Sequence, residues 1–140
     1  IPTLMAVRER NQDLNMLTEL VRKHLPGTPD DGLRKDICAV CAITLRRFAA
    51  DAEVSAKAWD KKAYHSKADE LRREVAWAPP MAQVAESLAY TPRKIEPADI
   101  KRLQDMLPDD LIMPERPRFK QVDNLRGAAA AARQTLLKRK

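Results

Sequence analysis

The sequence predicts an all-α protein: an antiparallel bundle of three to four main helices, followed by a smaller C-terminal helical part. Apolar residues recur at helical spacing between the prolines, and no segment alternates apolar and polar residues as a strand would. The prolines fall in a few clusters, so long stretches between them are free to form helices. With 140 residues, 44% of them apolar, the chain can form one domain with a buried core.

Three helices in the first part of the chain are predicted to supply most of the core. The first ends at Pro26 and Gly27, and the second begins after Asp30, whose charge suits the positive end of a helix. No Pro or Gly interrupts residues 33–78. Because one helix of that length would measure about 70 Å, we expect a bend near residues 50–55 and a third helix beyond it. The predicted core residues are Leu14, Leu17, Val21, Ile37, Cys41, Phe48, Leu71 and Val75.

Shorter elements are predicted to follow. Pro79 and Pro80 precede a short helix, and residues 96–99 form a strong helix start, with Pro97 in the first turn and acids around it. That helix should stop at Pro108. We therefore divide the chain into a helical bundle (residues 1–107), a Pro-rich connector (residues 108–117) that lies extended on another surface, and a basic C-terminal helix (residues 118–140), called the arm.

The net charge of +6 is concentrated in the arm. Residues 1–117 contain nineteen basic and nineteen acidic residues, whereas the arm contains seven basic residues and one acid, Asp123. This asymmetry predicts a large partner assembly with an acidic surface, and a bundle that folds without the arm. The residues predicted to bind the partner are Arg118, Lys120, Arg126, Arg133, Lys138, Arg139 and Lys140 of the arm, and Leu111 and Met113 of the connector.

Cys38 and Cys41 have a spacing with known chemistry, since two thiols three residues apart can share a metal ion or form a redox disulfide. A closed zinc site needs further ligands, and only His24 and His65 could supply imidazoles. A redox pair is expected at a helix N-terminus, but these cysteines lie inside a predicted helix. We favour a buried apolar role and predict no metal and no cofactor; a metal site and a redox site are the alternatives.

No arrangement of residues predicts catalysis. His24 suits the negative end of the first helix, and His65 lies in a Lys-rich stretch typical of a solvated face. Carboxylates alternate with basic residues at helical spacing, as Asp69 does with Arg72, which is typical of surface ion pairs. Three glycines provide no phosphate-binding loop. We therefore do not expect an enzyme. No apolar run reaches the roughly 18 residues of a membrane span, so membrane association should be peripheral at most.

One segment supports a family resemblance. In residues 57–75, Trp59 and Tyr64 lie about ten residues before the pair Leu71 and Arg72, and the segment contains the strings KAYHS (residues 62–66) and ELRREV (residues 70–75). This segment resembles the second bundle helix of the PsbQ-type extrinsic subunits of photosystem II, in particular of algal members. The resemblance implies a cleaved precursor in the thylakoid lumen of the plastid, a non-catalytic bundle docked on the photosystem, and a role in supporting oxygen evolution.

Three classes of function are consistent with the sequence. The first is a structural subunit that docks on a larger assembly, which the mixed helix surfaces, the connector and the basic arm favour. The second is a nucleic-acid-binding or ribosome-associated protein that uses the arm on phosphates, although Phe119 is the arm's one aromatic residue. The third is a small redox protein based on Cys38 and Cys41.

Overall fold

The structure, a computed structural model, describes residues 2–138 and the side chains of residues 8–134. Within the described residues there are helices and no strand, which confirms the all-α prediction. The elements are α1 (Pro2–Glu19), continued by a π-helical turn (Leu20–His24) and a last turn (Leu25–Gly27), α2 (Asp31–Lys61), α3 (His65–Glu74), α4 (Ala78–Tyr90), α5 (Pro97–Met106), a 3-10 turn (Val122–Leu125) and α6 (Ala128–Lys138).

Helix α2 is the centre of the bundle. It is 31 residues long, about 46 Å, and α1, α3, α4 and α6 all pack on it. Its buried face includes Ile37, Cys41, Leu45 and Phe48, at the spacing of three or four residues that places side chains on one face of a helix. Asp30 caps its N-terminus by accepting a hydrogen bond from the backbone N–H of Gly32 at 2.9 Å.

The bend predicted near residues 50–55 is wrong, because α2 continues without a break to Lys61. The chain turns instead at residues 62–64, where Ala63 has a φ of +64° and the backbone N–H of Tyr64 bonds to the carbonyl oxygen of Trp59. Alanine is a good helix former, so its presence in a left-handed turn gives no sequence signal. A second turn, at residues 75–77, precedes α4. The predicted short helix begins slightly earlier than expected, at Ala78, so that Pro79 and Pro80 lie in its first turn instead of preceding it.

The π-helical turn carries α1 past Pro26. Proline has no N–H and its ring clashes with the carbonyl four residues earlier, so a widened turn before it lets the helix continue to Gly27. Within the turn, the N–H of Leu25 bonds to the carbonyl of Leu20. The carbonyl of Val21 instead accepts a hydrogen bond from the Gln104 side chain on α5, at 3.2 Å.

Helix α5 begins with the predicted start signal and is fixed to α2. Glu96 and Asp99 form a reciprocal capping box, and the helix ends at Met106, just before Pro108 as predicted. The preceding loop is held by Asp31, which accepts a hydrogen bond from the N–H of Ile95 at 2.7 Å, and by Arg34, which donates to the carbonyl of Ile95 at 3.2 Å.

Part of the predicted core lies at a surface. Of the eight core residues predicted from periodicity, five are buried: Leu17, Val21, Ile37, Cys41 and Phe48. The other three, Leu14, Leu71 and Val75, are only partly buried and line a cleft. The single arm helix predicted over residues 118–140 is also interrupted, because α6 begins only at Ala128 and Gly127, with a φ of +92°, separates it from the 3-10 turn.

Candidate functional site

The first end of the connector is fixed to α1 by Arg22, a residue of the π-helical turn. Its guanidinium donates one hydrogen bond to the carbonyl oxygen of Pro108, at 2.9 Å, and another to the carbonyl oxygen of Leu111. Both acceptors are backbone atoms, so the contact positions the chain whatever side chains stand at residues 108–111. Leu111 itself is partly buried and packs against the core.

The second end is fixed by Glu19, whose side chain is almost fully buried. Residue Glu19 is 1% exposed, and its two carboxylate oxygens accept hydrogen bonds from the backbone N–H groups of Arg118, at 2.8 Å, and Phe119, at 2.9 Å. The Nε2 atom of His24 lies 3.3 Å from the same carboxylate, and the Phe119 ring meets the His24 ring edge-on at 6.1 Å. A buried carboxylate is stable when its lone pairs are used in this way.

Between these two anchors the connector presents its side chains to solvent. Ile112 is 82% exposed and Met113 is 38% exposed, and Glu115, Arg116 and Pro117 are exposed as well. An isoleucine exposed to this extent, on a segment whose ends are held by hydrogen bonds, is unusual for a loop that has only a connecting role.

The start of α6 is fixed in a similar manner by Asp36, on α2. Asp36 is 8% exposed, and its carboxylate accepts hydrogen bonds from the backbone N–H groups of Gly127, at 2.8 Å, and Ala129, at 3.0 Å. These are N–H groups at the N-terminus of a helix, where a negative charge is stabilising. The Tyr90 hydroxyl donates to the carbonyl of Ala129 at 3.0 Å.

Two of the predicted partner-binding cations make contacts within the protein. Arg126 donates to the carboxylates of Asp30, at 2.6 Å, and Asp123, at 2.9 Å. The hydrogen bond from Arg126 lowers the pKa of Asp30. Arg133 lies over the Tyr90 ring, 5.9 Å from its centroid.

The remaining predicted partner-binding cations are either exposed or outside the described side chains. Arg118 and Lys120 are exposed and form no ion pair among the side chains that the structure describes. The side chain of Lys138 lies outside the described residues, as do Arg139 and Lys140. Of the predicted surface, the residues that are exposed and make no side-chain hydrogen bond or ion pair within the described part of the protein are therefore Met113, Arg118 and Lys120, beside the exposed Ile112 and Arg116.

The two cysteines are buried in the core face of α2. Both are free thiols with 0% exposure. Burial, with smaller contributions from the charges of Asp99 and Asp31, raises the pKa of Cys38 to about 12, and burial raises that of Cys41 well above its ordinary value. Because the thiolate is the reactive form, these environments suppress nucleophilic and redox chemistry.

The two histidines contact carboxylates and not the cysteine thiols. His24 is next to Glu19, and the Nδ1 atom of the exposed His65 is 2.8 Å from the carboxylate of Asp60 on α2. Among the described residues, no three His, Cys, Asp or Glu side chains are grouped as a metal ion would require.

An ion-pair cluster joins α3 to α2. Arg72 donates to Glu53, at 3.2 Å, and to Asp60, at 2.8 Å, in addition to the predicted helical pair with Asp69. The bond from Arg72 lowers the pKa of Glu53, and the bonds from His65 and then Arg72 lower the pKa of Asp60. The side chains of Glu53, Asp60 and Arg72 are between about a third and a half exposed, and ion pairs this accessible to solvent contribute little to stability, so the cluster mainly orients α3.

Sequence reasoning missed the residues that organise this surface: Arg22, Glu19 and Asp36. Each lies in a predicted helix among other charged residues, and its partners are backbone groups 86 to 100 residues away in the sequence. One signal was available, because all three lie one or two positions from apolar core residues.

Comparison of the chain with protein-family models, with curated proteins and with solved structures finds no match. Within the described residues, no helix has the length and apolar character needed to cross a bilayer.

Proposed function

We propose that this protein is a non-catalytic subunit that docks on a larger assembly through the exposed part of its connector and the start of its arm, residues 112–120. The observation that supports this most strongly is the combination of two fixed ends with an isoleucine that is 82% exposed between them. A loop held in one position loses little conformational entropy when it binds a partner.

The chemistry of residues 112–120 defines the partner. Ile112 and Met113 would enter an apolar pocket, and the exposed Arg116, Arg118 and Lys120 would face acidic groups around it. Burying an isoleucine stabilises a complex by about 1.5–3 kcal/mol, and the charges mainly accelerate association and select the partner. Binding should therefore be strong at low salt and weaken as salt screens the charges.

The contacts favour a protein partner over a nucleic acid. Arg126 is engaged by Asp30 and Asp123, and Arg133 lies on Tyr90, so fewer arm cations are available for phosphates than the sequence implies. Phe119 packs against His24 and the core, which leaves it poorly placed to stack on a base.

The experiment is an affinity capture with matched variants. Wild-type protein, Ile112→Asp and the control Ile43→Asp are immobilised and exposed to nuclease-treated extract of the source organism at low and high salt. Ile43 is also half exposed, at 50%, but lies on α2. We expect one assembly to bind the wild type and the control and to bind Ile112→Asp about tenfold or more weakly. Equal capture by all three proteins, or capture that occurs only in a parallel extract not treated with nuclease, would contradict the proposal.

The narrower form of the proposal makes that assembly photosystem II, on its lumenal side, with the protein in the thylakoid lumen of the plastid. It is supported by the resemblance of residues 57–75 alone. It is tested with photosystem II membranes from which the extrinsic subunits have been washed. Saturable rebinding that depends on Ile112 and restores oxygen evolution is the expected result, and the absence of such rebinding would leave only the general docking role.

A further inference from the structure

A cleft of about 490 Å³ lies beside α2, between α1 and α3. Both of these helices pack on α2, and the beginning of the connector contributes to the cleft's wall. Its volume is in the range of pockets that hold small molecules. The lining residues that carry the argument are Arg10, Phe48, Leu71, Glu74, Trp77 and Asp110.

The cleft is lined mainly by apolar side chains. Phe48 and Trp77 form an aromatic wall with ring centroids 5.5 Å apart. Leu14, Leu71 and Val75 have the periodicity of core residues, yet they remain only partly buried because the cleft is open in front of them. An apolar ligand would complete the burial that the sequence pattern of these helices predicts.

Arg10, in the wall of this cleft, has no counter-ion among the described side chains. The residue is 9% exposed, and within the described part of the chain its guanidinium donates one hydrogen bond, to the Ser55 hydroxyl at 3.0 Å. It forms no ion pair with any carboxylate among the described side chains. By contrast, Arg47 of α2 is about half exposed and makes two hydrogen bonds to the Asp13 carboxylate.

A buried guanidinium without a carboxylate costs free energy, which a bound anion would offset. Carboxylates fit this role best, because a guanidinium can donate two parallel hydrogen bonds to their two oxygens. The exposed carboxylates Glu74 and Asp110 also line the cleft and would repel an anion near them. They therefore favour a ligand whose negative group lies at Arg10, with the apolar body against the aromatic wall.

We infer that the cleft binds a small amphipathic carboxylic acid, with its carboxylate on Arg10 and its apolar part against Phe48 and Trp77. This site is separate from residues 112–120 and does not depend on the proposed docking function.

The ligand chemistry is tested with decanoate and two probes of the same chain length. Trp59→Phe leaves Trp77 as the one tryptophan, so its fluorescence reports occupancy of the cleft. We expect decanoate to bind saturably, and 1-decanol and decylamine to bind about tenfold or more weakly. If decanol binds as well as decanoate, or decylamine binds better, the carboxylate is not recognised and the inference is overturned.

The position of the bound ligand is tested with variants made in the Trp59→Phe background, and the stability of each variant is checked by thermal unfolding. Arg10→Met should weaken decanoate binding about tenfold while the melting temperature stays the same or rises, because an unpaired buried charge is removed. A melting temperature well below that of the parent would instead assign Arg10 a structural role and overturn its part in binding. Ser55→Ala, the matched control, removes the hydrogen bond and keeps the charge, so it should leave binding nearly unchanged.

A variant that fills the cleft tests where decanoate binds, even if Arg10→Met does not fold. Leu71 is only partly buried, so Leu71→Trp should be accommodated in the open space. We expect this folded variant to lose decanoate binding, and Glu74→Gln to bind decanoate more tightly than the parent. Unchanged binding by Leu71→Trp, measured by calorimetry, would place the decanoate elsewhere and overturn the inference.

Discussion

The helical bundle and the C-terminal segment, residues 108–134, are held in place by partly different interactions. The bundle is joined by apolar faces, with fully buried residues such as Leu45 and Met81 between α2 and α4. The C-terminal segment also packs apolar side chains against the core, but these are only partly buried, and Arg22, Glu19 and Asp36 bond to its backbone in addition. Apolar packing is spread over many contacts, whereas each of these carboxylates binds two specific backbone N–H groups. The comparison teaches that single polar residues give the connector and the arm specific points of attachment.

The largest expected effect follows deletion of residues 118–140. The sequence predicts a bundle that folds without the arm, but Phe119, Val122, Leu125 and Ala129 pack against the core. Deletion exposes this surface and leaves Glu19 and Asp36 without their backbone partners. We expect the melting temperature to fall by about 10 °C or more, measured by circular dichroism. If the truncated chain has the same melting temperature as the full-length protein, the two regions are independent.

The next effect tests the bundle itself. Leu45→Ala on α2 should reduce the free energy of unfolding by about 2–5 kcal/mol, because it leaves a cavity at a fully buried position. Ile43→Ala, on the same helix but half exposed, should change it by about 0.5 kcal/mol or less. Urea denaturation measures both. Similar losses for the two variants would mean that burial along α2 does not determine stability.

A smaller effect is expected at the anchor of α6. Asp36→Asn keeps the size of the side chain but replaces one acceptor oxygen by a donor, which cannot bind the second of the two N–H groups at Gly127 and Ala129. We expect a loss of about 1–3 kcal/mol in urea denaturation. Asp105→Asn, at an exposed position of α5, is the matched control and should be neutral. If Asp36→Asn has the same free energy of unfolding as the wild type, the hydrogen bonds of Asp36 do not anchor α6.

The smallest effect is a pH dependence of the contact between Asp30 and Arg126. The hydrogen bond from Arg126 lowers the pKa of Asp30 below its ordinary value of 3.8. A carboxylate with a lowered pKa in the folded state stabilises that state above its unfolded-state pKa, and loses this contribution as the pH falls through its folded-state value. The NMR signal of the Arg126 side chain should therefore stay constant from pH 7 to about 5 and change only in more acidic solution. A change near neutral pH would contradict this assignment.

The elements with periodic apolar patterns could be predicted from the sequence, and the turns between them only in part. Pro79, Pro80 and Pro97 marked helix starts to within a residue or two, because proline is favoured in the first turn of a helix, whereas Pro26 did not end α1. The end of α2 at Lys61 could not be predicted, since the turn depends on Ala63 adopting a left-handed conformation, which alanine rarely does.

The candidate sites were less predictable than the fold. Leu14 and Leu71 carry a core pattern, and nothing in the sequence shows that α1 and α3 leave a cleft in front of them. The sequence shows the net charge of the arm, but it does not show which of the arm's cations are paired. Arg126 forms ion pairs within the protein, whereas Arg118 forms none among the described side chains. Long-range pairing of this type depends on the folded backbone and has no local sequence signal.

The central claim, that buried carboxylates fix the C-terminal segment, is tested most directly by hydrogen exchange at four backbone amides. These belong to Arg118 and Phe119, bonded to Glu19, and to Gly127 and Ala129, bonded to Asp36. We predict that NMR shows all four protected in the wild type, while the exposed Met113 exchanges rapidly. Glu19→Gln should increase exchange within the first pair alone, and Asp36→Asn within the second pair alone, because each amide side chain keeps only one acceptor oxygen. Rapid exchange of all four amides in the wild type, or equal release of both pairs by either variant, would contradict the claim.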